Sequence, residues 1–149
     1  MPDRYGLTIR AVEAADAEGL AELLRAGGVD VPRERLAARL AALRQEAGAV
    51  FVADAWGPPT GVIALHWSSR LTTELKVAEA TLLLVDPERR RSGVARLLLK
   101  AASQAARAAG CGELVLGLDA GRDDLQAFAL ATGFAAVGRR LGRPLRRRD

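Results

Sequence analysis

Apolar positions along this chain switch between two periods, and the switches mark its elements. Leu7-Thr8-Ile9-Arg10 alternates as a strand does. Over residues 17–26 the spacing becomes that of one helix face, Leu20, Leu23 and Leu24, with Asp16 as candidate cap and Gly27-Gly28 as the stop. Leu36, Leu40 and Leu43 repeat the helical spacing over 32–47, where Pro32 suits the first turn and Gly48 closes the helix. Residues 49–55 (AVFVADA) read as a strand, Gly57-Pro58-Pro59 as a turn, and 61–68 as the hairpin partner. Residues 69–75 are irregular. The next strand, 77–85, is apolar on both faces toward its end, which places it centrally in a sheet.

Helical spacing returns over 93–109 and stops at Gly110-Cys111-Gly112. A buried strand over 113–118 follows, then a helix opening at Asp123 or Asp124 and ending before Gly133. A strand over 134–140 comes next, and Gly142 turns into a last short strand. The predicted order is β-α-α-β-β-β-α-β-α-β, with a final β beyond Gly142. The central meander is antiparallel, and residues 77–118 form a right-handed parallel crossover.

Within that order, residues 81–110 carry the strongest chemical signal. The apolar run 81–85 stops at Asp86-Pro87, and Arg89, Arg90 and Arg91 follow, then Ser92-Gly93-Val94-Ala95 opening a long helix. This is strand, tight turn, helix. The N–H groups of the helix's first turn, the positive end of its dipole and the arginines together make an anion site. No G-x-G-x-x-G follows a strand and no Gly-Lys-Ser/Thr occurs, so dinucleotide and Walker loops fit poorly.

Composition narrows the picture. A chain of 149 residues, 50% hydrophobic, reads as one folded domain, 1–149. Its apolar runs are too short to span a bilayer, and MPDRYGLTIR lacks a signal-peptide core. Cys111 and His66 are the only cysteine and histidine, so neither a disulfide nor a Cys- or His-based metal site is expected. The expectation is a soluble, cytoplasmic protein without a metal. The net charge of +4 is concentrated in residues 138–149, which carry six arginines, and the rest is close to neutral. That tail lacks the interleaved aromatics of a base-stacking surface, so nucleic acid is not the expected partner.

The turn residues resemble those of the GNAT superfamily of acyl-CoA-dependent N-acyltransferases. Its phosphate loop, Arg/Gln-x-x-Gly-x-Gly/Ala, is matched by Arg90-Arg91-Ser92-Gly93-Val94-Ala95. The lead-in Leu83-Leu84-Val85-Asp86-Pro87-Glu88 is similar to the family's Val-x-Pro-Glu phrase, and Gly133-Phe134 falls where the family carries Gly-Phe. The element order agrees over nearly the whole chain. The resemblance implies a mixed α/β (α+β) fold: a largely antiparallel sheet of six to seven strands with helices on both faces. It implies acetyl-CoA as acyl donor, with the pyrophosphate on residues 90–95 and the pantetheine arm along the backbone of Leu83, Leu84 and Val85. Phe128 joins that cofactor set.

The reaction it implies is direct attack of a primary amine on the thioester in a ternary complex. The acceptor is a small-molecule amine or a protein amine. A backbone N–H polarises the thioester oxygen, and a base removes the amine proton. Glu79 is the candidate base, since a glutamate at the matching strand position serves in the histone-acetylating branch; the alternative is a solvated strand-start residue. Glu74 is a weaker candidate. Many relatives carry a thiolate-protonating Tyr four residues before the Gly-Phe glycine, and an Asn opening that segment; Ala129 and Arg122 stand there. This departure keeps open a coenzyme-A-binding regulatory module with weak or no turnover. His66 alternates with apolar residues and reads as a strand-surface residue facing the acceptor groove. Asp54, Glu74 and Glu79 would favour a cationic amine. Family members often dimerise through their late strands, which leaves a homodimer open.

Overall fold

A computed structural model describes residues 6–89, 92–118 and 122–146. The chain divides after Gly117 into two units, Met1–Gly117 and Leu118–Asp149.

The first unit is a five-stranded sheet in the order β1 (Thr8–Ala11), β2 (Gly48–Asp54), β3 (Gly61–Ser68), β4 (Lys76–Val85), β5 (Cys111–Leu116). Neighbours are antiparallel except β4 and β5, which are parallel because α3 (Val94–Ala108) carries the chain across. The alternation read from the sequence becomes two faces. On one, Leu20, Leu24, Leu36 and Leu40 of α1 (Ala17–Ala26) and α2 (Arg33–Leu43) pack with Val52, Val62 and Leu84. On the other, Gly61 lies against Val94 and Leu98, where an added Cβ would come within 2.8 Å of Val94. Ile63 and Leu98, both fully buried, continue that second layer.

Helix α2 ends at Leu43, four residues before the end expected from its leucine spacing. The chain turns at 44–47 so that β2 begins at Gly48, opposite His66. Gly48 is required there: a Cβ would collide with the Leu65 carbonyl oxygen at 2.3 Å. Asp16 precedes α1 but makes no side-chain bond to that helix. Its carboxylate instead accepts from the Glu13 N–H at 2.7 Å and from Arg10 Nη1 and Nη2, both at 2.8 Å.

In the second unit α4 (Asp123–Ala131) ends in a turn built on Gly133-Phe134. Gly133 sits at φ 98, and the Phe134 N–H closes back onto the Ala129 carbonyl at 3.0 Å. That left-handed cap is the physical reason for a Gly-Phe pair after a helix. The strands expected over 134–140 and beyond Gly142 are not formed among the described residues, so the sheet has five strands rather than six or seven. Residues 135–146 are exposed throughout. Val137, Leu141 and Leu145 therefore have no buried face to hold a strand, and Pro144 brings no N–H to a ladder.

Candidate active site

Two features of β4 place the candidate site. The first is a β-bulge. Leu82 opposes Ala64 and Ala80 opposes Leu65, which leaves Thr81 as an extra residue in β4. Side chains alternate along a strand, so one extra residue exchanges the faces on either side of it. Leu84 and Leu82 face α1 and α2, and so does Glu79, which opposes His66. Were Thr81 paired in an unbroken ladder, the same glutamate would oppose Trp67 and face α3. The second feature is divergence. The β4–β5 ladder ends at Ala80–Leu116, closed by the Gly117 N–H on the Ala80 carbonyl at 3.1 Å, while β4 continues beside β3 to Val85. Glu79 is thus one residue before the strands part. It is half-buried, with Oε1 out of reach of solvent, between His66 of β3 and Val115 of β5.

His66 is the middle of a short polar row on the α1–α2 face. Its Nδ1 lies 3.9 Å from Glu46 Oε2 in the turn before β2. The imidazole is about one-third exposed, at 35%, and Glu46 more so, at 60%. Beside it, a cavity of about 240 Å³ opens under the end of α2, lined by Val12, Leu40, Leu43, Arg44, Val50 and His66 among others. Its walls are chiefly apolar. No group of His, Cys, Asp and Glu among the described residues is placed to hold a metal ion.

The strand-turn-helix leads from the far end of β4. The side chains of Leu83 and Leu84 are core, at 3% and 6% exposure, so a ligand along this strand would meet backbone only. Val85 is half-buried. The Asp86 carboxylate accepts the Glu88 N–H at 3.0 Å and starts the turn through Arg89. Arg90 and Arg91 lie outside the described residues. Ser92 is exposed, and its hydroxyl donates to the Arg89 carbonyl. Gly93 caps α3 at φ 86, a left-handed conformation that disfavours any residue with a Cβ. Nothing lies within 4 Å of where that Cβ would be, so conformation and not space demands glycine. Val94 is buried and Ala95 half-buried, which anchors the start of the helix, whose first-turn N–H groups have no partner within the helix. These features fit an anionic ligand such as the pyrophosphate of coenzyme A.

Other sequence candidates are placed elsewhere. Asp54, expected to draw a cationic amine, is engaged by Arg10 at 3.3 Å. Arg10 also binds Asp16, and this hydrogen-bonded guanidinium holds the Asp16 carboxyl below the usual carboxylate range. Asp16 and Asp54 raise the Arg10 pKa in return. The network joins β1, the turn before α1, and β2, and its role is structural. Glu74 is exposed in the β3–β4 connection. Phe128 is half-buried and Ala129 is buried within α4, with no hydroxyl to offer. Glu46 was not singled out by the sequence. It lies far from Glu79 along the chain, and only the β2–β3–β4 register brings the two onto either side of His66.

The sequence matches the acetyltransferase (GNAT) family over residues 17–134. The chain therefore belongs to the GNAT acetyltransferase family, and its five-stranded mixed sheet with flanking helices is that family's fold. No curated protein matches the sequence. Among solved structures, an acetyltransferase from Trypanosoma brucei is similar at 22% identity and TM-score 0.79, covering 93% of this chain and 99% of that one. A glucosamine-6-phosphate N-acetyltransferase from Arabidopsis thaliana is 15% identical, with TM-score 0.78 and coverage of 94% and 99%. An aminoglycoside N-acetyltransferase, solved with CoA, is 21% identical, with TM-score 0.81 and coverage of 98% and 99%. At these identities the likeness is one of fold. Among the described residues, no helix is long and apolar enough to cross a membrane.

Proposed function

We propose that this chain transfers an acetyl group from acetyl-CoA to a primary amine by direct attack in a ternary complex, with Glu79 as the base. The observation that carries this reading is the Thr81 bulge, which turns a half-buried carboxylate to the α1–α2 face one residue before β4 and β5 diverge. Acetyl-CoA, when bound, supplies the thioester carbonyl that the amine attacks. The α3 turn at Gly93 holds the pyrophosphate on backbone N–H groups, aided by Arg90 and Arg91. The backbone of Leu83, Leu84 and Val85 borders the opening between the diverging strands and lines the pantetheine arm. Glu79 takes the amine proton, directly or through one water, as the nitrogen bonds to carbon. The departing thiolate takes its proton from water, since Ala129 has none to give. The family match runs across the division after Gly117, which supports reading 1–149 as one acetyltransferase domain.

An amine acceptor is supported by the names of two structural neighbours, an aminoglycoside and a glucosamine-6-phosphate N-acetyltransferase, whose substrates carry amines. Ala129 favours a second reading, a coenzyme-A-binding module without turnover. One assay separates the two. Thiol release from acetyl-CoA is followed with a panel of aminoglycosides, amino sugars, amino acids and peptides, for the wild type and Glu79→Gln. Amine-dependent release that Glu79→Gln abolishes supports the transferase. Binding of acetyl-CoA with no release across the panel supports the module. Release unchanged in Glu79→Gln across pH removes Glu79 as base.

A further inference from the structure

We propose that the cavity under the end of α2 is a binding site for a small carboxylate with an apolar body, its acid group seated on Arg44. The cavity follows from residue sizes. Helix α2 stops at Leu43, and the N–H groups of Gln45 and Glu46 close the next turn on the Ala42 and Leu43 carbonyls at 3.0 and 3.1 Å. Leu40 and Leu43 are left beside the end of β1 and the start of β2, where Ala11, Gly48 and Ala49 bring little bulk. Gly48 keeps the space open: a Cβ there would come within 2.3 Å of the Leu65 carbonyl oxygen, so no larger residue can fill the cavity from that position. The space amounts to about 240 Å³. An apolar cavity of roughly 150 Å³ already takes up benzene, so this one has room for a ring or a short chain.

Water is a poor occupant. The side chains of Val12, Leu40, Leu43, Val50 and Leu65 offer it no hydrogen bonds, and the Val12 N–H is already taken by the Val50 carbonyl at 2.9 Å. Arg44 and His66 carry the only polar side chains in the lining. Arg44 is exposed, so it stands where the cavity meets solvent. Its Nη2 donates to the Val12 carbonyl at 3.3 Å, which ties the guanidinium to the end of β1. A guanidinium is a fork of N–H donors, and this single bond leaves most of them to offer. The carboxylates of this region are held by other groups. Asp16 accepts from Arg10 Nη1 and Nη2, both at 2.8 Å, and Glu46 lies 3.9 Å from His66 Nδ1. Among the described residues no carboxylate is hydrogen-bonded to Arg44. A cation at a helix C-terminus is favoured by the dipole, which accounts for the charge but not for the void beside it. An apolar void with one cation at its edge is complementary to an apolar body that ends in an anion. The body fills the cavity, and the carboxylate accepts two parallel N–H bonds from the guanidinium. No covalent bond is made or broken.

The test titrates the full chain with phenylpropionate, beside phenylpropionamide, which has the same apolar body and no charge. Calorimetry and ligand-observed NMR read the binding. The wild type binds the acid saturably below about 10 mM, and the amide about fivefold or more weakly. Arg44→Gln lowers the affinity for the acid to that for the amide. Leu43→Phe narrows the cavity while leaving Arg44 in place, and weakens both probes by about tenfold. A wild type that binds neither probe at about 10 mM overturns the site. Equal binding of acid and amide, or an acid affinity unchanged in Arg44→Gln, overturns Arg44 as the anchor and the ligand class with it. Binding retained in Leu43→Phe puts the probe outside the cavity and also overturns the site. The cavity shares no residue with the turn before α3, so each of these results is separable from the binding of acetyl-CoA.

Discussion

The turn before α3 and the α1–α2 face of β4 are built in opposite ways. The turn is local: Asp86, Ser92 and Gly93 make their bonds within a few residues, and each residue type suits its own backbone position. The face carries Glu46, His66 and Glu79, which share it only through the pairing of three strands and one extra residue at Thr81. A local device tolerates changes elsewhere in the sheet. A register-built device depends on every strand between its members.

The largest expected effect tests that dependence. Gly48→Ala puts a Cβ 2.3 Å from the Leu65 carbonyl oxygen and prises β2 from β3 beside His66, at a cost of about 3 kcal/mol. Urea denaturation should show the loss, and a variant as stable as the wild type would break the close β2–β3 approach on which the face depends. Glu79→Gln should lower kcat/KM by on the order of a hundredfold or more while the Kd for acetyl-CoA holds, because the proposed base and the turn are separate devices.

Next in size is the Arg10 network, which ties β1 and β2 to the start of α1. Asp16→Asn loses charge-assisted hydrogen bonds worth about 2 kcal/mol at pH 7. The Asp16 pKa is lowered in the folded state, so its stabilisation is full above the ordinary carboxylate range and is lost as pH falls through the folded value. The gap between wild type and Asp16→Asn in chemical denaturation should therefore close in acid. A gap that stays constant with pH would show that the carboxylate's charge does not matter.

Smaller still is Gly93→Val. It places a Cβ in a left-handed conformation at a cost of about 1–2 kcal/mol. Acetyl-CoA affinity should fall by about tenfold as the helix start shifts. At the bottom of the scale, truncation before Arg143 should change acetyl-CoA binding by no more than about 0.5 kcal/mol. A larger drop would give the tail arginines a share in holding phosphate.

The contrast between the regions also explains what the residues reveal in one dimension. The β-α-α-β-β-β-α-β-α order, the helix starting after Gly93 and the Gly133 cap follow from spacing and turn chemistry, and the structure contains them. Glu79 stands out as a candidate by its position on the strand. What sets its face does not, since nothing in VAEATLLLV marks Thr81 as the bulge; that emerges only from the partner strand. Asp54 looked available because Arg10 is far away in sequence yet adjacent across β1 and β2. The final strands were overread because the alternation of Val137, Leu141 and Leu145 with arginines lacks a surface to cover it.

The most direct test of the account is a calorimetric titration of the wild-type chain with acetyl-CoA, run beside NAD and ATP. The account predicts saturable binding of acetyl-CoA and CoA, weakened in Gly93→Val and unchanged in Glu79→Gln, with no comparable binding of the two nucleotides. No heat with acetyl-CoA or CoA at concentrations that saturate ordinary binders would contradict it.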